Sequence, residues 1–164
     1  MNKAGFEKEV LKNQEPLRRF LINLCKGDNS LADDIAQEAM IKAYLNLNSF
    51  KGFSKFSTWL FRIAYNCYCD NKRAVSKYRT IEIENNTLIS QNKSDNKYMH
   101  QDLYIALEKL NEKERGVVLL FYMEDKSLKE VSKITGFPVN TVKSHLSRAK
   151  THLSEHLLSI GYEG

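Results

Sequence analysis

Long apolar runs are missing from this chain of 164 residues, and so is an apolar leading segment. The longest apolar stretch, GVVLLFYM at residues 116–123, is far shorter than the ~18 residues that a membrane helix needs. The first ten residues contain two lysines and two glutamates, so we expect no secretory signal. These absences predict no membrane insertion and a cytoplasmic location, and the composition excludes a collagen-like or wholly disordered chain.

Cysteine is scarce and odd in number, with Cys25, Cys67 and Cys69 as the three thiols. An odd count leaves one thiol without a partner, and no second pair of cysteines completes a zinc site. We therefore expect reduced, partly buried thiols, and we predict neither a metal site nor a cofactor.

Carboxylates are absent from two tracts that contain cations, residues 39–69 and residues 131–154. Residues 1–73 carry 12 basic and 8 acidic side chains, residues 74–100 carry 4 and 3, and residues 101–164 carry 9 of each. The formal net charge of +5 is compatible with a polyanionic partner. The placement of the charges, one carboxylate-free tract in each half, is more informative than their total.

The middle of the chain separates two regions of helical pattern. Residues 74–100, AVSKYRTIEIENNTLISQNKSDNKYMH, are rich in Asn, Ser and Lys and have no sustained helical period, although TIEIE could form a short extended piece. The alternative is a loop within one domain, but ~12–15 residues is already long for such a loop. We predict an all-α chain with two small helical domains, 1–73 and 101–164, joined by a flexible linker.

Helix signals divide the first domain. Pro16 fits a first helical turn, and Gly27 follows as a helix stop. Ser30 with Asp33 resembles a capping box, and Ser57 is a candidate N-cap. Apolar residues at helical spacing predict two buried faces. They are Leu31, Ile35, Ala39, Ala43 and Leu47 on one helix, and Leu60, Ile63, Ala64 and Cys67 on the next.

The second domain contains two further cap pairs, Asn111 with Glu114 and Ser127 with Glu130. The run GVVLLFYM could be a buried strand by its apolar residues alone. The preceding cap and the lack of a partner strand favour a buried helix.

The segment SLKEVSKITGFPVNTVKSHLSRAKTHL has the pattern of a helix-turn-helix. A short helix reaches Gly136, which can take a positive φ, and Pro138 opens a second helix. One side of that helix is apolar, and the other side carries donors for phosphates and base edges. The donors are Asn140, Thr141, Lys143, Ser144, Ser147, Arg148 and Thr151. An ordinary helical hairpin with a solvated basic face is the alternative.

Rings and cations crowd together in FKGFSKFSTWLFRIAYNCYCDNKR, residues 50–73. Such a mixture suits single-stranded nucleic acid, because bases stack on rings while phosphates meet Lys and Arg. The candidates are Phe50, Lys51, Phe53, Lys55, Phe56, Trp59, Arg62 and Asn66. A small aromatic core with a solvated rim is the alternative, since some of these rings must be buried.

Acidic and amide side chains share one helix face in SLADDIAQEAMIKAY: Asp33, Asp34, Gln37 and Glu38. Carboxylates in a first turn favour the helix dipole, which is a purely structural explanation. The functional explanation is a docking face for a basic protein surface.

One enzyme-like motif is present. His152-Leu-Ser-Glu155-His156 matches the H-x-x-E-H of one class of metalloprotease, with Glu163 as a candidate third ligand in the last eight residues. A zinc site needs three protein ligands and a cleft, so we do not expect catalysis here.

Three segments together resemble a bacterial extracytoplasmic-function (ECF) sigma factor: ADDIAQEAMIKAY, FSKFSTWLFRIAYNCYCDNKR and LNEKERGVVLLFYMEDKSLKEVSKITGFPVNTVKSHLSRAKTHL. The resemblance extends from Pro16 to Leu158, except for the linker. Its specific parts are D-x-x-Q-E at residues 34–38 and T-V-K-S-x-L-S-R-A at residues 141–149. Gly116 departs from the pattern, because the family usually places better helix formers there.

The resemblance implies a non-enzymatic protein whose partners are core RNA polymerase, promoter DNA and an anti-sigma factor. It assigns core polymerase binding to Asp33, Asp34, Gln37 and Glu38. It assigns binding of the melted −10 strand to Lys51, Lys55, Phe56, Trp59, Arg62, Asn66, Lys72 and Arg73. It assigns binding of the −35 duplex to Asn140, Thr141, Lys143, Ser144, Ser147, Arg148 and Lys150. The competing hypothesis is a helix-turn-helix regulator that acts without core polymerase.

Overall fold

The computed structural model describes residues 1–84 and 101–161, with no side-chain detail at residues 82–84. The described regular elements are helical, which confirms the predicted all-α class. The first half contains α1 (Lys3–Leu24), α2 (Asn29–Leu45), a 3₁₀ turn (Leu47–Ser49) and α3 (Phe56–Glu84). The second half contains α4 (Gln101–Lys109), α5 (Glu112–Val118), a π-helical turn (Leu119–Met123), α6 (Leu128–Thr135) and α7 (Val139–Ser159).

The first three helices pack around one apolar core. The predicted stripe of α2 is buried at Ile35, Ala39 and Ala43, and the predicted face of α3 is buried at Leu60 and Ala64. The partner surface on α1 was not predicted as a stripe. It consists of Leu17, Phe20, Leu21 and Leu24, which are all fully buried.

Three predicted helix starts in the first domain are wrong. Pro16 lies inside α1, thirteen residues after its start at Lys3. The N-cap of α2 is Asp28, whose carboxylate accepts a hydrogen bond from the Leu31 N–H at 3.0 Å, so Ser30 lies within the helix. Ser57 is likewise inside α3, which begins at Phe56. At α2 the reason is competition, because Asp28 and Ser30 are both good capping residues for the same terminal N–H groups and Asp28 takes the position.

The chain turns after α1 where a helix stop was predicted. Gly27 has a φ of +83° and donates its N–H to the Ile22 carbonyl at 2.9 Å. This left-handed residue just past the helix is a common way to satisfy the last carbonyls of a helix.

Helix α3 continues to Glu84, past the boundary of 73 that the sequence predicts. The TIEIE piece is its last turn, so the extended conformation considered for it is wrong. The remainder of the predicted linker, residues 85–100, lies outside the described residues, and the domain boundaries stay predictions.

The second domain follows its sequence signals closely. The Asn111 side chain accepts from the Glu114 N–H at 2.9 Å, and Ser127 and Glu130 form a reciprocal capping box. GVVLLFYM is helical, divided between α5 and the π-helical turn. Gly136 has a φ of +81° between α6 and α7, as a tight turn requires, and Pro138 immediately precedes α7. These two helices form the predicted helix-turn-helix.

The two halves of the described chain pack against each other. Helix α6 lies against the start of α3, and the π-helical turn lies against α1. The three thiols behave as predicted, because Cys25 and Cys67 are buried and Cys69 is half-buried, all unpaired by disulfides. Across residues 1–84 and 101–161, every helix is too short or too polar to span a membrane.

Candidate polymerase and nucleic-acid interfaces

The outer face of α2 carries the acidic residues that the sequence singles out. Asp34, Gln37 and Glu38 are exposed, and Asp33 is half-buried. Arg18 Nε donates to Asp33 Oδ1 at 3.0 Å, and Lys42 Nζ pairs with Glu38 at 2.8 Å. Those pairs are partly exposed, so each is worth little stability, and the carboxylates remain within reach of another cation.

An open groove of about 390 Å³ lies beside this acidic face, between α1 and α2. Its lining is mainly apolar, and Gln37 belongs both to the groove and to the acidic face. The other lining residues are Gln14, Leu17, Arg18, Ala36, Met40 and Ile41. An apolar centre with a polar rim is the usual composition of a protein interface, and only its acidic rim was predicted from the sequence.

The rings of the aromatic and basic tract divide into two groups. Phe56 is only 6% exposed and stands edge-on to Phe6 and Phe50, with ring centroids 5.8 and 5.7 Å away. Phe53, by contrast, is 92% exposed, and Trp59 is half-buried. The small aromatic core considered as an alternative is therefore present around Phe56. Trp59 packs against the Phe50 and Phe56 rings at 5.1 and 5.6 Å between centroids and is half-buried, whereas Phe53 is open.

Trp59 forms one wall of a cavity of about 320 Å³ between α2 and α3. Asn66, which the sequence predicts as a base reader, lies in the same cavity. The remaining lining consists of Lys42, Asn46, Ser49, Ile63 and Cys67. The cavity combines a flat apolar wall with an ammonium, two amides and a hydroxyl, which is the chemistry that a planar polar ring requires.

Sequence reasoning missed Lys42, Asn46 and Ser49. The Asn46 amide donates to the Lys42 carbonyl at 2.8 Å, and the Ser49 hydroxyl donates to the Asn46 carbonyl at 2.6 Å. These bonds fix the rim where α2 ends. The signal that could have found all three is their position in the carboxylate-free tract, residues 39–69.

The predicted cations of the first domain point to different surroundings. Lys51 and Arg62 are exposed. Lys55 Nζ lies 4.0 Å from a Glu130 carboxylate oxygen in the second domain. Farther along α3, Lys72 lies 5.6 Å from the centroid of the Tyr68 ring and 4.0 Å from Glu112, and Arg73 pairs with Asp70.

Helix α7 buries its predicted apolar side and exposes its donor side. Val142, Leu146 and Ala149 are buried. Thr141 is half-buried at the edge of the donor side, and the Ser144 hydroxyl donates to the Asn140 carbonyl at 3.0 Å. The exposed predicted readers are Asn140, Lys143, Ser144, Ser147, Arg148 and Lys150. Lys150 Nζ lies 5.5 Å from the centroid of the Tyr122 ring.

His145 lies beside this donor side without adding charge to it. Its ring packs 5.2 Å from Phe137. Burial, with smaller contributions from Arg148 and Lys113, lowers the pKa of His145 below its ordinary value. The ring is therefore neutral at pH 7, and the cations of the donor side are Lys143, Arg148 and Lys150.

The metalloprotease motif is not assembled into a metal site in the described chain. His152 Nδ1 lies 2.9 Å from Glu114 Oε2, and Glu114 is almost completely buried. Within residues 1–84 and 101–161, no three His, Cys, Asp or Glu side chains are grouped closely enough to hold a metal ion. Glu163, the candidate third ligand, lies outside the described residues.

Comparison with known proteins matches both halves of the chain to one family. Residues 10–78 match Sigma-70 region 2, and residues 100–153 match Sigma-70, region 4. The ECF RNA polymerase sigma factor SigW of Bacillus subtilis (strain 168) is 38% identical over 146 residues, covering 80% of this chain and 78% of SigW. EcfG of Rhodopseudomonas palustris (strain TIE-1) is 31% identical over 161 residues, covering 94% and 86%.

Solved structures give the same result for the fold. The sigma factor RpoE, in complex with the anti-sigma factor NepR from Bartonella quintana, superimposes with a TM-score of 0.78 at 27% identity, over 93% of this chain and 96% of RpoE. CnrH, in complex with the cytosolic domain of CnrY, shares the fold with a TM-score of 0.70 at 22% identity.

A region 2 domain followed by a region 4 domain defines a sigma factor of the sigma-70 class. With relatives of this similarity, the chain belongs to the extracytoplasmic-function sigma factors. Its function is that of a sigma factor, which directs RNA polymerase to promoters, and this identification is favoured over a regulator that acts without polymerase.

Proposed function

We propose that this sigma factor docks on core RNA polymerase through the acidic face of α2 and the adjoining groove. The exposed carboxylates of Asp34 and Glu38 attract a basic partner surface, while Met40 and Ile41 supply apolar area to bury. Charged rims set orientation and association rate, and apolar centres supply most of the affinity.

The cavity between α2 and α3 takes an unpaired base from the melted −10 strand. The observation that carries this proposal is the meeting of Trp59 and Asn66 in one cavity inside a carboxylate-free tract. An indole wall can stack on a base, and an amide can both donate to and accept from a base edge. The absence of carboxylates removes repulsion of the strand's phosphates.

The exposed side of α7 reads the −35 duplex from the major groove. Arg148 suits a bidentate contact to guanine, and Lys143 and Lys150 suit phosphates. Recognition helices in helix-turn-helix proteins use their exposed donors in this way.

The protein catalyses no reaction itself, since polymerase carries out RNA synthesis, and it acts in the cytoplasm where promoter DNA and polymerase meet. An anti-sigma factor restrains it. The support for this partner is the RpoE–NepR complex, whose sigma factor resembles this chain over almost its whole length.

Run-off transcription of genomic DNA with core polymerase tests the function and identifies the promoters. On such a promoter we expect Asn66→Ala to reduce open-complex formation at least tenfold while binding to core polymerase is retained. Asn48→Ala is the matched control, because Asn48 is exposed in the neighbouring 3₁₀ turn and does not line the cavity.

A template with a pre-melted bubble separates two causes of such a defect. Lost strand separation is rescued by the bubble, whereas lost recognition of the captured base is not. If Asn66→Ala opens duplex promoters at the wild-type rate, the cavity does not hold a base. If the wild-type chain supports no run-off product with core polymerase, the proposed function itself fails.

A further inference from the structure

The loop between the 3₁₀ turn and α3 holds one large apolar side chain out in solvent. Phe53 is 92% exposed, more than any other large apolar side chain of residues 1–84 and 101–161. Phe50 and Phe56, three positions to either side, are half-buried and buried. The Phe53 ring lines neither the cavity between α2 and α3 nor the groove beside α2, so the sites described above leave it without a role.

Two packed rings anchor the ends of this loop. Phe50 and Phe56 stand edge-on with their centroids 5.7 Å apart, and Phe50 also packs 5.1 Å from Trp59. Between the anchors, Gly52 takes a φ of +77°, a conformation that glycine adopts without strain. A short loop fixed at both ends restricts the space that Phe53 can occupy, so part of the ordering that stacking requires is in place before binding.

The loop begins and ends at the cavity between α2 and α3. Ser49, just before Phe50, and Trp59, three residues after Phe56, both line that cavity. The Cα atoms of Ser49 and Phe53 are at most about 14 Å apart, because four residues separate them at ~3.6 Å each. Stacked bases lie about 3.4 Å apart along a strand. Phe53 is therefore within reach of the nucleotides that neighbour a base in the cavity.

Cations flank the ring and match it to nucleic acid. Lys51 and Lys55 lie two positions before and after Phe53, and both are exposed. Lys55 keeps 77% of its side chain in solvent although its Nζ lies 4.0 Å from a Glu130 carboxylate oxygen. Residues 39–69 contain no carboxylate of their own. A ring between two ammonium groups suits a base between two phosphates, because stacking and charge attraction then act on one strand.

A single exposed apolar residue is common in proteins and by itself requires no explanation. Phe53 differs because an anchored loop holds it between two cations, beside a cavity that suits a base. Capture of a base removes it from the stack, so the adjacent base loses a stacking partner. Proteins that distort DNA insert apolar side chains, phenylalanine among them, at such interruptions of the stack.

We propose that Phe53 is a second stacking residue: its ring replaces the captured base against the adjacent base, while Lys51 and Lys55 contact the flanking phosphates. This inference rests on the proposed function, because it requires a base captured between α2 and α3. The ring restores stacking that capture removes and so favours the opened promoter. Every base has a π-face, so Phe53 contributes to opening and not to sequence preference.

Binding of a forked DNA by the full chain in complex with core polymerase measures this contact. The fork is cut from a promoter found by run-off transcription. We expect Phe53→Ala to weaken binding by a factor between about 5 and about 150, the loss expected for one base–aromatic stack. Phe53→Tyr keeps the ring and should bind as the wild type does. Leu11→Ala, which removes an apolar side chain on α1 that is 67% exposed, is the control and should have no effect.

Abasic substitutions in the fork locate the ring on the strand. The base on one side of the captured position is removed, then the base on the other side, and each fork is measured with wild type and Phe53→Ala. We expect the effect of Phe53→Ala to disappear with one of these forks and to persist when the captured base itself is removed. Asn66→Ala should show the opposite pattern, because Asn66 lines the cavity.

Three results overturn the inference: wild-type binding by Phe53→Ala, equal losses with every fork, or a Phe53→Tyr variant as weak as Phe53→Ala. Weaker binding of Phe53→Ala to core polymerase without DNA also overturns it, because the ring then contacts protein. Circular dichroism verifies that each variant keeps its helices. Failure of the proposed function is seen separately, as wild-type fork binding by Asn66→Ala or as absence of a run-off product with the wild-type chain.

Discussion

Arg148 and Lys143 both lie on the exposed side of α7, yet their side chains suit different contacts. The guanidinium of Arg148 is a rigid planar fork that matches the two acceptors of a guanine edge. The ammonium of Lys143 is a flexible point charge that matches a phosphate. For the proposed role of α7, we therefore expect Arg148 to contribute to sequence preference and Lys143 to contribute affinity for any duplex.

We expect Arg148→Ala to cost about 1–3 kcal/mol at the preferred −35 sequence and to relax the preference at one base pair. Lys143→Ala should weaken binding to all duplexes alike. It should also reduce the slope of the logarithm of the binding constant against the logarithm of the salt concentration by about one. Binding titrations over a panel of single-base variants, at several salt concentrations, measure both effects. If Arg148→Ala leaves the order of affinities across the panel unchanged, α7 enters the groove in another orientation.

Phe56 and Trp59 look equivalent in the sequence but differ in burial. Phe56 and Trp59 occupy one short tract of rings and cations, and both are reasonable stacking platforms by composition. Phe56 turns out to be covered by Phe6 and Phe50, while Trp59 faces a cavity. The residue types could be predicted, but which ring is covered depends on Phe6, which lies on another helix and fifty residues away.

At the scale of elements, α2 has a buried side and a charged, exposed side. Its inner side buries Ile35, Ala39 and Ala43 in the core, and its outer side presents Asp34 and Glu38. The separation allows charges on the outer side to be changed without disturbing the packing.

Asp34→Lys with Glu38→Lys should weaken binding to core polymerase at least tenfold while the helix content is unchanged. In the proposed docking mode the two lysines would place like charge against a basic partner surface. Glu38→Lys also loses its pair with Lys42, worth only about 0.3–0.5 kcal/mol. Glu7→Lys is the matched control, because Glu7 also pairs with a lysine one turn away, on α1 outside the groove. Equal affinity of the double variant and the control, measured with purified core enzyme, would remove α2 from the docking surface.

Local signals predicted the elements of the second domain better than those of the first. The cap pairs at Asn111 and Ser127 and the turn at Gly136 each depend on residues within three positions, so sequence alone suffices. The start of α2 was misassigned because Asp28 and Ser30 are both good caps, and only the path of the chain out of α1 decides between them. Pro16 was wrongly assigned to the first turn of a helix, because α1 begins at Lys3 and includes the proline in its interior.

At the scale of the molecule, Gly116 lies where the second domain contacts Tyr65 of the first, and a Cβ added there would stand 3.2 Å from the Tyr65 ring. Replacing a helical glycine with alanine ordinarily stabilises a helix by about 1 kcal/mol. Here the added methyl group would press on the buried Tyr65 ring. Forcing an extra carbon into a well-packed site typically costs about 1–3 kcal/mol, which outweighs the helical gain.

We therefore expect Gly116→Ala to lower the free energy of unfolding in the wild-type chain and to raise it in a Tyr65→Leu background. Urea unfolding followed by circular dichroism gives the four values of this double-mutant cycle. Gly5→Ala, in α1, is the control, because its methyl group would meet only the side chains of Met1 and Asn2 at the chain terminus. Its effect should be the same in both backgrounds, and equal effects of Gly116→Ala in both would show that Tyr65 is not the reason for the glycine.

No local pattern could have predicted how the halves meet. The partners of Arg115 include the Leu24 carbonyl, 91 positions away, and Glu124 finds Arg19 across 105 positions. The sequence marked Gly116 as unusual without giving the cause, since the cause is a ring in the other domain. Helix content, the helix-turn-helix and the donor side of α7 could be predicted, whereas the cavity rim and the contact between the two domains required the tertiary structure.

Trp59 is the single tryptophan of the chain, and it lines the cavity between α2 and α3. The indole emission of the whole protein therefore arises at one place, and that place is the site assigned to the captured base. Neither the acidic face of α2 nor the donor side of α7 contains a competing indole. Stacking of a nucleobase on an indole quenches its emission. If the cavity captures a base as proposed, we therefore expect the emission of the unlabelled wild-type protein to fall on strand capture, at a rate that stopped-flow fluorimetry measures.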